Sequence, residues 1–132
     1  MITLLLALTL QGTPGTTPEV QRDIVVIGNK LKRWSASVRE QDGRMVCRTR
    51  RSSGDREIDT IGCSAMASCS TELRARTMQL ADRQIPRAER KVLFKAVSRD
   101  LTKCVFSRRD TMIAELAERR FQVRQGTTNA SN

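Results

Sequence analysis

The four cysteines are the residues of this sequence with the most distinctive chemistry: Cys47, Cys63, Cys69 and Cys104. An even number of cysteines in a chain of 132 residues is typical of a disulfide framework, for which three connectivities exist. A zinc site or a redox dithiol is disfavoured, because no Cys-x-x-Cys pair occurs and the sequence contains no histidine. We therefore expect two structural disulfides and no metal.

Helix geometry favours one of the three connectivities. If residues 60–83 form a helix, Cys63 and Cys69 lie about 9 Å apart along its axis and about 120° apart around it. That separation exceeds what a disulfide tolerates, so the two cysteines should face different partners. The simplest solution joins Cys47 to Cys63, which ties a hairpin to the helix, and Cys69 to Cys104, which ties two helices together.

A group of arginines is the second feature with chemical potential. Asp42-Gly43 separates two alternating segments, residues 35–41 and 44–51, and predicts a type I′ hairpin that pairs Val38 with Cys47. One face of this hairpin is then apolar and holds the cysteine. The opposite face is cationic and could make bidentate contacts to phosphates or carboxylates. Its residues, with one neighbour, are Arg39, Arg44, Arg48, Arg50 and Arg51.

The sequence offers no catalytic set. Without histidine there is no imidazole base near neutral pH and no Ser-His-Asp triad. The carboxylate pairs Asp55 with Glu57 and Glu115 with Glu118 have many basic neighbours and belong to no motif. We predict no catalytic residue, no cofactor and no enzymatic activity.

The elements that would position these residues follow from the pattern of apolar residues. The β-branched run at 23–28 predicts a strand, and Asp59 is a plausible N-cap for a helix that ends near Arg83. Pro86 begins a further helical segment to about Gln125, as one bent helix or as two helices broken near Ser107. The predicted fold is α+β: a small N-terminal β-hairpin or meander packs on two or three C-terminal helices and is stapled by two disulfides.

The N-terminus predicts export. Residues 2–10 are almost purely apolar and precede a Gly-, Thr- and Pro-rich stretch at 12–18, which fits a secretory signal and is too short to span a bilayer. We assign residues 1–18 to a signal peptide and cleavage region, 19–124 to a single disulfide-stabilised domain, and 125–132 to a disordered polar tail. No later segment is apolar enough for a membrane span.

The net charge of the chain predicts an anionic partner. Lys and Arg number 24 against 14 Asp and Glu, a net charge of +10, which attracts anions of any kind. An exported module that binds an anionic envelope component or an acidic protein fits best. A nucleic-acid-binding protein is the first alternative, disfavoured by the scarcity of aromatic residues and the predicted leader. An enzyme of unknown class is the second, and the oligomeric state is left open.

Two segments resemble known proteins. Residues 23–34, DIVVIGNKLKRW, and residues 47–63, CRTRRSSGDREIDTIGC, are similar to segments of small uncharacterised periplasmic proteins of sphingomonad-type α-proteobacteria. The IVV core of the first segment also resembles the short box near the N-terminus of TonB-dependent receptors. The resemblance implies a periplasmic or secreted location in a Gram-negative bacterium and implies no activity.

Overall fold

Four helices and one β-hairpin make up the part of the chain that the structure, a computed structural model, describes, residues 16–130. Their order is α1 (Pro18–Lys32), β1 (Ser35–Gln41), β2 (Arg44–Arg51), α2 (Arg56–Glu72), α3 (Arg74–Gln79) and α4 (Arg87–Asn129). The predicted α+β architecture of a hairpin, helices and two disulfides is confirmed. Residues 1–15 of the predicted signal segment lie outside the described residues.

The segment expected to form a strand at 23–28 is instead part of α1. Thr17 caps the helix by accepting the N–H of Val20, and Pro18 occupies its first turn. Val20, Ile27 and Leu31 follow the helical repeat, and each is only 2% exposed. The strand prediction was wrong because burial of this stripe outweighs the β preference of the Ile-Val-Val-Ile run.

The predicted helix at 60–83 begins earlier and is divided in two. Asp55, rather than Asp59, is the N-cap of α2, since its carboxylate accepts the N–H groups of Glu57 and Ile58. Asp59 lies inside the first turn and accepts hydrogen bonds from Ser52 and Ser53 in the preceding loop. The helix ends at Glu72, and the short helix α3 follows.

A single uninterrupted helix, α4, forms the C-terminal region. It shows no break near Ser107, so the one-helix alternative holds. Arg108 is half-buried and pairs with Glu72 of α2. The helix continues to Asn129, so the prediction of a disordered tail is wrong for residues 125–129. Thr128 stabilises this end by donating its hydroxyl to the carbonyl of Arg124.

The core lies where α1, α2 and α4 meet, and the hairpin packs on α2. Trp34, in the short connection between α1 and β1, closes the core and is 8% exposed. The disulfides follow the predicted pairing: Cys47–Cys63 joins the hairpin to α2, and Cys69–Cys104 joins α2 to α4. The buried cluster is aliphatic apart from the indole and comprises Val20, Ile27, Leu31, Trp34, Ile58, Ile61, Ile113, Leu116 and Ala117.

Within residues 16–130, none of the helices combines the length and the apolar composition that a membrane crossing would require.

Candidate anion-binding face

The hairpin has the predicted turn and register. Asp42 and Gly43 both have positive φ angles, 51° and 74°, as a type I′ turn requires. The antiparallel pairs include Val38 with Cys47 and Gln41 with Arg44. Because side chains alternate between the two faces of a strand, this register separates an inner apolar face from an outer cationic one.

Three contacts of the inner face fix the hairpin on the helices. The Cys47–Cys63 disulfide anchors β2 to α2. The indole N–H of Trp34 donates to the hydroxyl of Thr49 over 3.2 Å. Near the turn, Arg74 of α3 donates two hydrogen bonds to Glu40, the shorter of 2.6 Å. A two-stranded hairpin is marginal by itself, so these contacts hold the outer face in a defined position.

The outer face forms an open groove of about 270 Å³. Its lining residues are Ser37, Arg39, Gln41, Val46, Arg48 and Arg50. Arg39 is paired across the strands with Val46, so Arg48, two residues further along β2, is its diagonal neighbour on the same face. Diagonal neighbours on one sheet face are about 7–8 Å apart, close enough for several guanidinium groups to reach one multivalent anion.

Among residues 16–130, no carboxylate forms an ion pair with the arginines of this groove. Within residues 16–130, the five candidate arginines of the hairpin make no ion pair. Several arginines on the helices do form ion pairs: Arg76 pairs with Asp100, and Arg124 with Asp23. The one acidic residue of the strands, Glu40, is on the inner face and is already bound to Arg74. The outer face therefore carries uncompensated positive charge.

The structure brings together three of the five predicted arginines. Arg39, Arg48 and Arg50 line the groove, and a bulge between Ser35 and Ala36 leaves Arg50 without a partner residue on β1. Arg44 borders a separate depression beside the turn, and Arg51 does not line the groove.

Three uncharged residues of the groove were missed by the sequence analysis. Ser37, Gln41 and Val46 share the outer face with the arginines, and Val46 is 42% exposed. The period-two alternation that placed the arginines on this face also places these three, so the signal was present in the sequence.

The carboxylate pair of Asp55 and Glu57 has a structural role, because it joins the start of α2 to α4. Arg120 of α4 donates to both Asp55 and Glu57 at the start of α2. Burial raises the pKa of Asp55, but hydrogen bonds from Arg120 and from the N–H of Ile58 outweigh it and hold the pKa below its ordinary value. The hydrogen bond from Arg120, helped by Arg119, likewise lowers the pKa of Glu57. Both carboxylates are thus kept ionised as partners of α4.

The second pair, Glu115 and Glu118, lies on the exposed side of α4, where Glu118 accepts a hydrogen bond from Gln122. No group of three or more potential metal ligands is found within residues 16–130. The arginine groove is therefore the arrangement in the described structure that most clearly favours a ligand.

Comparison with known proteins gives no relative: no protein-family model matches the chain, and no curated protein or solved structure shows significant similarity to it.

Proposed function

We propose that this protein is an exported binding module that recognises an anionic envelope component through the outer face of its hairpin. The observation that carries the proposal is the groove of Arg39, Arg48 and Arg50, which has no carboxylate partner among residues 16–130. Like charges held side by side repel one another. A bound anion removes that repulsion and supplies the acceptors that guanidinium groups lack.

The geometry of the face favours a ligand with several anionic groups. Residues two apart on a strand are separated by about 6.8 Å, so Arg48 and Arg50 reach neighbouring groups rather than a single one. Each guanidinium can bind a phosphate or carboxylate through two parallel hydrogen bonds. A phosphorylated glycolipid presents such groups on a surface, as does an acidic protein segment. We favour the glycolipid because phosphate accepts more hydrogen bonds.

The disulfides support the proposed location. All four cysteines are paired, and structural disulfides persist in oxidising compartments. The apolar segment at 2–10 and the resemblance to small periplasmic proteins lead us to propose the periplasm of a Gram-negative bacterium, or secretion from it. The chain acts there by binding, without catalysis.

Nucleic acid is the less suitable polyanion for this face. The groove contains no aromatic side chain on which a base could stack, and its one apolar residue is Val46. Trp34, the residue best suited to stacking, is buried and donates its indole N–H to Thr49.

The test compares two variants that lose the same number of charges. One replaces Arg39, Arg48 and Arg50 with Ser, and the control replaces Arg22, Arg56 and Arg83, which are exposed and make no ion pair within residues 16–130. Retention on immobilised lipopolysaccharide should be abolished in the first variant and nearly unchanged in the second. Enzymatic removal of the phosphates should abolish retention of the wild type. Equal retention of the two variants would refute the proposal, as would retention that survives dephosphorylation.

A further inference from the structure

The N-terminal part of α4 extends beyond the core. With 43 residues, α4 is about 64 Å long, whereas α2, with 17 residues, is about 26 Å long. The buried residues of α4 begin only at Val97. Its first turns are therefore mostly exposed, with the loop after α3 as their neighbour.

These turns form a second cationic surface, which differs from the hairpin face by its exposed aromatic ring. We call it the Phe94 face; it is a shallow groove of about 970 Å³ lined by Leu80, Arg87, Ala88, Arg90, Lys91 and Phe94. Phe94 is 59% exposed. None of the lining residues is acidic, and the three cations make no ion pair within the described chain.

We propose that the Phe94 face docks on the surface of an anionic lipid bilayer. An exposed ring costs free energy in water, and transfer into the boundary between headgroups and acyl chains removes it from water. Arg87, Arg90 and Lys91 line the same groove as the ring and would lie at the level of the phosphates. The face thus combines the two attractions that hold a peripheral protein on a membrane.

Two other binding partners suit the Phe94 face less well than a bilayer. A second copy of this chain would bring three cations against three cations around the same groove, which opposes association. A water-soluble polyanion would neutralise the cations but offer no apolar phase for Phe94. The proposal does not depend on the hairpin face, which lacks an aromatic residue.

The helix itself offers a matched control for the ring. Phe106 lies on α4 and is 57% exposed, almost the same as Phe94. Wild type, Phe94→Ser and Phe106→Ser are mixed with vesicles of phosphatidylglycerol and phosphatidylethanolamine at about 0.15 M salt, and the bound fraction is measured by sedimentation. Phe94→Ser should lower the partition coefficient about five- to tenfold, whereas Phe106→Ser should leave it within about twofold of wild type.

Two further samples distinguish this surface from the hairpin face. Vesicles of phosphatidylcholine alone should bind little protein, because the anionic headgroups are missing. The Arg39, Arg48 and Arg50 to Ser variant should retain vesicle binding that still depends on Phe94. The proposal is overturned if Phe94→Ser and Phe106→Ser bind alike, if phosphatidylcholine vesicles bind equally well, or if the hairpin variant alone abolishes vesicle binding.

Discussion

The indole ring of Trp34 lies directly against the backbone of Gly62. A Cβ atom at residue 62 would stand 2.7 Å from three carbons of that ring, closer than real contacts allow. Trp34 follows α1, which ends at Lys32, and Gly62 lies in α2, so the absence of a side chain at Gly62 lets the indole ring approach the helix. The same ring reaches the hairpin through its hydrogen bond to Thr49. Gly62, which as a helix residue lowers the intrinsic stability of α2, is therefore required by packing.

We expect Gly62→Ala to destabilise the protein. Overpacking of a core costs about 1–3 kcal/mol, and the better helix propensity of alanine returns about 1 kcal/mol, so the net loss should be up to about 2 kcal/mol. Gly28→Ala in α1 is the control, since nothing lies within 4 Å of the added methyl group. It should stabilise by about 0.5–1 kcal/mol. Chemical denaturation measures both, and a stabilising Gly62→Ala would contradict the packing argument.

The ion pairs of Asp55 predict loss of stability in acid. The pKa of Asp55 is lower in the folded protein than its ordinary value of 3.8, so its contribution is present above that pH and is lost as pH falls through the folded pKa. Asp55→Asn keeps an N-cap but removes the charge that binds Arg120. At pH 7 it should lower the free energy of unfolding by about 1–2 kcal/mol, and the difference from wild type should narrow below pH 3.8.

Glu115→Gln serves as the control for this prediction, because Glu115 is exposed and has no ion pair within residues 16–130. Its free energy of unfolding should follow that of the wild type across the pH range. A constant difference between Asp55→Asn and wild type from pH 7 to below pH 3.8 would show that the charge of Asp55 contributes nothing.

The two disulfides should differ more in function than in stability. The sequence separations of 16 and 35 residues correspond, on the loop-entropy relation, to about 3 kcal/mol for Cys47–Cys63 and about 4 kcal/mol for Cys69–Cys104. The first anchors the hairpin to α2, whereas the second joins α2 to α4 and has no residue in the hairpin. Replacing Cys47 and Cys63 with Ala should weaken retention on lipopolysaccharide strongly, and replacing Cys69 and Cys104 should not.

Retention is to be compared at a temperature where both double variants are folded, as judged by circular dichroism. Equal retention would mean that Trp34 and Glu40 suffice to hold the outer face. A greater loss in the Cys69 and Cys104 variant would mean that the ligand contacts α4 rather than the hairpin.

The sequence predicted the hairpin well and α1 badly, for physical reasons. A type I′ turn and a period of two are local signals, so they fixed the register and the arginine face without knowledge of the rest. Whether residues 23–28 form a strand or a helix depended on tertiary burial, since Ile27 and Leu31 are buried in the core formed with α2 and α4. The start of α2 depended on which of two aspartates the preceding loop engages. Ser53 binds Asp59, which leaves Asp55 to cap the helix.

The three arginines of the groove should be more than a source of positive charge, because each can bind one phosphate through two hydrogen bonds. Lysine keeps the charge of arginine but cannot make two parallel hydrogen bonds to one phosphate. If recognition is bidentate, replacing Arg39, Arg48 and Arg50 with Lys should weaken binding to lipopolysaccharide about tenfold or more.

The salt dependence of the affinity distinguishes bidentate recognition from simple attraction by charge. Because the number of charges is unchanged, the slope of log affinity against log salt should match that of wild type while the affinity itself falls. The Ser variant should lose both the affinity and the slope. Equal affinity of the Lys variant and wild type would mean that the face acts only as a field of positive charge, and the geometry of the three guanidinium groups would then have no role in selecting the ligand.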